Sequence, residues 1–127
     1  DEESLTKFRD FYDEYFAVLD LPSEFYLETV EWIFQDFRLP KGELTHHGDL
    51  VEPQALHDVS LLTIEGQRDD ICGIGQTRAA HELCSGISPS QKRHYLQPNV
   101  GHFGVFSGHR WNKYVFPIVR DHIQNAN

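Results

Sequence analysis

Residues 59–124 read as strand, helix, strand, helix, and that order constrains the chain more than any other feature. Val59, Ser60, Leu61, Leu62, Thr63 and Ile64 form a nearly continuous apolar and β-branched run ended by Gly66, which suits a strand buried on both faces. A loop over 67–75 leads to a predicted helix from about Gln76 to Cys84, with Ala80 and Leu83 inward. A second strand fits Lys92 to Leu96, followed by a loop over 97–107. The last segment, 108–124, carries Trp111, Val115, Ile118, Val119 and Ile123 at helical spacing. Pro117 interrupts it by removing a backbone N–H and biasing Phe116 away from helix, so a kink or two short helices are expected. Strands joined in this way run parallel with a right-handed crossover. Two parallel strands alone do not make a stable sheet. We therefore expect an α/β fold of which this chain is the C-terminal part, and the start at Asp1 and the absence of methionine agree with that expectation.

The first 58 residues have a different character. Leu5, Phe8, Tyr12, Tyr15, Phe16 and Leu19 recur at helical spacing, so residues 4–19 read as an amphipathic helix with an aromatic stripe. Asp20, Pro22 and Ser23 break it and supply fresh capping chemistry. A second helix runs to about Phe37, with Tyr26, Val30, Ile33, Phe34 and Phe37 on one face and Pro40 and Gly42 marking its end. So short a break implies a helical hairpin. Residues 41–58 show no sustained period and read as an irregular connection.

Charge narrows the partners. The chain has 20 acidic and 11 basic residues, a net charge of −9 with neutral histidines. That balance argues against nucleic acid, whose phosphates need a basic face, and against an anionic membrane surface. No apolar run approaches the roughly 20 residues of a membrane span, and no signal-peptide pattern opens the chain. Two cysteines are too few for a disulfide scaffold and form no CxxC pair. A cytoplasmic location is the expectation.

In a parallel sheet, the loops at the carboxyl ends of the strands gather on one edge, where ligands bind. The loop after the first strand carries Arg68, Asp69 and Asp70, and the loop after the second carries Asn99, Gly101, His102, Phe103 and Gly104. Acid followed by histidine is the later part of the nucleophile, acid, histidine order of α/β-hydrolases. The chemistry asks for these types, since a carboxylate fixes the tautomer of an imidazole that takes and returns the nucleophile's proton. Against this, an aspartate pair after a strand is ordinarily turn chemistry.

Longer stretches sharpen the reading. Leu62-Thr63-Ile64-Glu65-Gly66-Gln67-Arg68-Asp69-Asp70-Ile71, Gly75-Gln76-Thr77 with Ala79-Ala80-His81 and Leu83-Cys84, and Gly101-His102-Phe103-Gly104-Val105-Phe106 with Arg110-Trp111 closely resemble the C-terminal region of intracellular poly(3-hydroxybutyrate) depolymerases. Phe11 to Phe16 and Phe25 to Val30 match that family too. The resemblance implies the C-terminal part of an α/β-hydrolase, with residues 1–58 a cap-like helical hairpin and connection and residues 59–127 a parallel βαβα unit. It implies hydrolysis of ester bonds in a stored bacterial polyester, with Asp69 of an Asp-x-Ile motif as triad acid and His102 of a Gly-His-aromatic-Gly motif as general base. It implies the polymer or its oligomers as partner, association with storage granules, no cofactor and no metal, and leaves a homo-oligomer open. Phe103, Ser107 and His109 depart from the family's more usual tyrosine, asparagine and arginine.

The nucleophile is not in this stretch. There is no G-x-S-x-G or G-x-C-x-G, and neither Ser85 nor Ser107 has the spacing or position of a nucleophile elbow. The isolated chain is therefore expected to be inactive, with the nucleophile, serine or cysteine, lying upstream. Cys72 is unsuited, because adjacent carboxylates suppress its thiolate, and Cys84 reads as core. His46, His47, Asp49 and His57 cluster in the connection without a metal-binding spacing. His109 is the alternative base and Asp70 the alternative acid. Gly73-Ile74-Gly75 looks like a phosphate loop but lacks the lysine and the spacing. Phe11, Tyr12, Phe16, Tyr26 and Phe34 read mainly as core, with one or two lining an apolar path to the site. Two other functions stay open at this point: a polyhydroxyalkanoate synthase-like acyl transferase, and a noncatalytic granule-binding or dimerisation module.

Overall fold

The computed structural model describes residues 2–17 and 20–126. It divides into two compact units, residues 1–44 and 45–127.

In the first unit, α1 (Glu2–Phe16) is followed by α2 (Ser23–Thr29), which continues as a π-helical turn over Val30–Gln35. The predicted position of Leu19 on the first stripe lies outside the described residues. Phe37 then adopts a left-handed conformation (φ 55°) and opens the short α3 (Arg38–Lys41). The second helix thus stops before Phe37, and Gly42 (φ 70°) closes α3 as expected of a C-terminal glycine. Arg38 anchors the turn, donating to Asp36 through Nε and Nη2 at 2.9 and 2.8 Å and lying over the Trp32 ring. No described side chain of this unit is buried. The aromatic residues expected to form a core between two packed helices, among them Phe8, Phe16, Tyr26 and Phe34, are exposed instead. On α1 they contact one another in sequence, with Phe8 and Tyr12 ring centroids at 4.6 Å and Tyr12 and Phe16 at 5.8 Å.

The second unit begins with a hairpin where the sequence predicts irregular chain. Strands β1 (Thr45–His46) and β2 (Asp49–Leu50) pair antiparallel around His47 (φ 52°) and Gly48 (φ 91°). Two central residues with positive φ give a turn whose twist matches the strands it joins. A 3₁₀ turn at Pro53–Ala55 follows.

Next come the two longer strands, β3 (Leu61–Gly66) and β4 (Lys92–Gln97). They pair in parallel, with Thr63 opposite His94 and Gly66 opposite Gln97. The parallel pairing agrees with the strand-helix-strand reading. Burial differs from it: Leu61 to Ile64 are only half-buried, whereas Glu65 and Gly66 are buried. An apolar strand in a two-stranded sheet lacks the neighbours that would cover it.

Between the strands, the predicted helix is mostly a series of turns over 74–79, and the α-helix proper is only α4 (Ala80–Leu83). The hydrogen bonds explain the shortening: Gln76, Ala80, His81 and Glu82 each donate to the carbonyl three residues back, the 3₁₀ pattern. After β4, a 3₁₀ turn (His102–Val105) leads to α5 (Gly108–Arg110), a π-helical turn (Trp111–Val115) and α6 (Phe116–Asn125). Pro117 sits in the first turn of α6, where its missing N–H is tolerated, and Phe116 keeps helical angles. The expected break is therefore a change of helix type at Val115, which is fully buried. Cys84, Ile87, Val100, Val105 and Val115 are the buried apolar residues of this unit.

Candidate active site

The two loops at the carboxyl ends of β3 and β4 are fastened together by their backbones. Gln67 N donates to Gln97 O at 3.0 Å and Arg68 N to Val100 O at 2.8 Å, while the Gln67 side chain accepts from Asn99 N at 3.0 Å. Asn99 takes a left-handed conformation (φ 57°), which asparagine tolerates better than most residues. Two glycines make the close approach possible. A β-carbon on Gly66 would meet the Val100 and Gly101 carbonyl oxygens, and one on Gly104 would lie 2.7 Å from Val100 Cβ. Val105, buried, pins the 3₁₀ turn that begins with His102.

This fastening brings Asp69 to His102. Asp69 Oδ2 lies 2.9 Å from His102 Nδ1. The aspartate side chain is 3% exposed and the imidazole 31%. The other carboxylate oxygen, Oδ1, accepts from Ile71 N at 2.9 Å and Cys72 N at 2.8 Å. Burial alone would push the Asp69 carboxyl up. The Cys72 and Ile71 amides and the His102 ring outweigh it, holding the group below the usual aspartate range. An ionised carboxylate only accepts, so Nδ1 is the donor in this contact. The ring stands edge-on to Phe103 and Phe106, with centroids at 5.6 and 5.7 Å.

The alternative residues lie elsewhere. Asp70 is exposed and makes no hydrogen bond or ion pair among the described residues, and His109 is exposed on α5. Ser85 is exposed, and Ser107 donates to Phe103 O in the turn before α5. Cys72 is half-buried, and burial, with Asp69 and Glu65 nearby, pushes its thiol up. Cys84 is core, as its helical position suggests. His46 and His47 contact each other ring to ring at 4.2 Å, and His57 approaches Gly86 O. Among the described residues, no group of three or more His, Cys, Asp or Glu is arranged to hold a metal ion.

Sequence reasoning missed a second polar centre on the same sheet. Thr63 and Glu65 share one face of β3, and His94 stands opposite Thr63. Thr63 Oγ1 lies 2.8 Å from His81 Nε2 and 2.9 Å from His94 Nδ1, and His94 Nε2 lies 3.7 Å from Glu65 Oε2. Lys92 Nζ donates to His81 O at 2.7 Å. Burial and the nearby His94, Lys92 and Arg78 push the His81 ring below its usual range. Glu65 is buried, yet the amides of Gly75, Arg78 and Thr77 and the Thr77 hydroxyl overcome the cost of burial and hold it below the usual glutamate range. The Gly75 amide ends the Gly73-Ile74-Gly75 stretch that looks like a phosphate loop, and the chain's own carboxylate already occupies it. The available signal was an acid near the end of an apolar strand, ten residues before a glycine-threonine turn.

With this geometry in place, comparison with known proteins gives one family. A family model described as "PHB de-polymerase C-terminus" matches residues 1–127. The chain belongs to that family. Membership supports a role in the degradation of PHB, an esterase-type activity with the polymer as substrate. No curated protein and no solved structure gave a match. Among the described residues of this PHB de-polymerase C-terminus, no helix is long and apolar enough to cross a membrane.

Proposed function

We propose that this chain supplies the acid and the general base of an ester hydrolase acting on poly(3-hydroxybutyrate), with the nucleophile contributed from outside residues 1–127. The observation that carries the reading is the contact of 2.9 Å between Asp69 Oδ2 and His102 Nδ1, made by a buried carboxylate whose other oxygen is tied to two amides. Asp69 holds the ring in the tautomer with Nε2 unprotonated and stabilises the imidazolium formed when Nε2 takes a proton. That proton comes from the nucleophile's hydroxyl or thiol as it attacks the ester carbonyl. It then goes to the alcohol oxygen as the ester bond breaks, leaving an acyl group on the nucleophile. A water molecule, deprotonated by the same nitrogen, releases the acid and restores the nucleophile. This reading places the chain in an α/β-hydrolase architecture at the surface of stored polyester.

The test is hydroxy-acid release by the full-length protein. Asp69→Asn should cost roughly 10³- to 10⁴-fold in kcat, as tautomer loss does in serine hydrolases, while Asp70→Asn stays near wild type. His102→Ala should likewise lose far more than His109→Ala. Equal losses within either pair would refute the assignment. The acyl-transferase alternative would show instead as polymer lengthening from an acyl thioester. A noncatalytic module would show as hydrolysis untouched by Asp69→Asn and His102→Ala.

A further inference from the structure

The loop that carries Asp69 is fastened at two points. Its start is held by the Gln67 and Arg68 amides on the loop after β4. Its return is held by Glu65. Oε2 of that residue accepts from Gly75 N at 2.8 Å, and Oε1 accepts from Thr77 N at 2.8 Å, Thr77 Oγ1 at 2.9 Å and Arg78 N at 3.1 Å. The Glu65 side chain is completely buried, and His94 Nε2 stands 3.7 Å from Oε2. Between the two fastenings, Asp69 uses one oxygen to cap Ile71 and Cys72 and the other to meet His102. A buried carboxylate with four donors is costly to remove and hard to replace. Its donors are three backbone amides and one hydroxyl, all of one segment, so what it determines is where that segment lies.

We propose that Glu65 is a positioning residue for the reaction, anchoring the return of the 67–78 loop so that Asp69 stays aligned on His102. The inference rests on the triad reading above. Glu65 bonds to the return of the loop rather than to His102 and acts through Asp69. A small misplacement of a catalytic group can cost orders of magnitude in rate, so the anchor affects turnover more than binding.

The experiment uses Glu65→Gln in the full-length protein, with soluble 3-hydroxybutyrate oligomers as substrate. Gln matches Glu in shape and keeps one acceptor for Thr77 and Arg78, but it turns an N–H₂ group toward the Gly75 amide, donor against donor. The expected result is kcat lowered roughly 10- to 100-fold, KM unchanged, and the far-downfield proton resonance of the His102 Nδ1–H bond broadened or lost in a protein with wild-type circular dichroism. Wild-type kcat, or lowered kcat with that resonance intact, overturns the proposal. So does a loss explained wholly by a smaller folded fraction. If E65Q does not fold, Thr77→Val reads the same anchor by deleting one hydroxyl bond, and kcat must fall several-fold with KM unchanged or the proposal fails. Asp69→Asn in parallel separates the two claims. If D69N loses activity and E65Q does not, only the anchor is wrong; if D69N stays active, the triad reading falls and the anchor with it.

Discussion

A β-carbon on Gly66 would stand 2.8 Å from the carbonyl oxygen of Val100. The end of β3 therefore runs against the backbone of the loop after β4, and that approach lets Arg68 N reach Val100 O and sets Asp69 beside His102. Neither oxygen facing the site, Val100 O or Gly101 O, belongs to a flexible side chain that could swing away. Gly66→Ala should therefore destabilise the full-length protein by about 1–3 kcal/mol, the usual cost of overpacking, and should lower kcat beyond what the folded fraction explains. Thermal melts alongside single-turnover rates check this, and a melt and rate equal to wild type would show that the backbone has room to part.

Much of this arrangement was legible in residue order, and the reasons for the misses are physical. Val59 to Gly66 and Lys92 to Leu96 read as strands because their β-branched and apolar residues have few other uses, and parallel pairing followed from the chain between them. Asp69 and His102 stood out through strand order together with family resemblance. Glu65 did not, because a glutamate at the end of an apolar strand looks like a solvated edge until its amide donors, ten to thirteen residues on, are known. The helix expected from Gln76 shrank because Gln76, Ala80, His81 and Glu82 bond three residues back rather than four. The β1–β2 hairpin was missed because its strands are only two residues long, although His47-Gly48 carried the turn signal. The exposed aromatic face of α1 shows the limit of periodicity, which says which residues share a face and not what covers it.

The pair of Asp69 and His102 without a nucleophile elbow has a direct biochemical consequence. An imidazole and its carboxylate move protons but form no acyl intermediate by themselves. Purified residues 1–127, incubated with poly(3-hydroxybutyrate) granules, should release no 3-hydroxybutyrate above a polymer-only control in a chromatographic assay. Sustained release from the pure fragment would mean that a nucleophile lies within it and would overturn the proposed division of the catalytic groups.

Cys72 offers a probe of the charge around the acid. Its thiol is pushed up by burial first, then by Asp69 and Glu65, so little thiolate exists at neutral pH. Alkylation by iodoacetamide, followed by peptide mass spectrometry, should be slower than for a free cysteine in a short peptide. Because part of the shift is the Asp69 charge, Asp69→Asn should speed the reaction. A Cys72 that reacts as fast as the free thiol, or that is indifferent to Asp69→Asn, would contradict the buried, anionic setting.

Stability should fall on acidification in two separable stages. Asp69 and Glu65 are held below their ordinary ranges, so the unfolded chain takes up their protons first. Their contribution is fully present above the unfolded values of about 3.9 and 4.3 and is lost as pH falls through the lower folded values. His81 is also held below its usual range, burial being the main cause. As a base it gives the same sign at higher pH: the unfolded ring protonates from about 6.5 downward while the folded ring resists, so stability declines from there toward its folded value. Urea unfolding of the full-length protein across this range should therefore show a shallow loss beginning near neutrality and a steeper one in acid. His81→Gln should remove the first, and Asp69→Asn should reduce the second. An acid limb identical in wild type and Asp69→Asn would mean that the aspartate is not held ionised by the Ile71 and Cys72 amides and His102, and the electrostatic basis of the site would be lost.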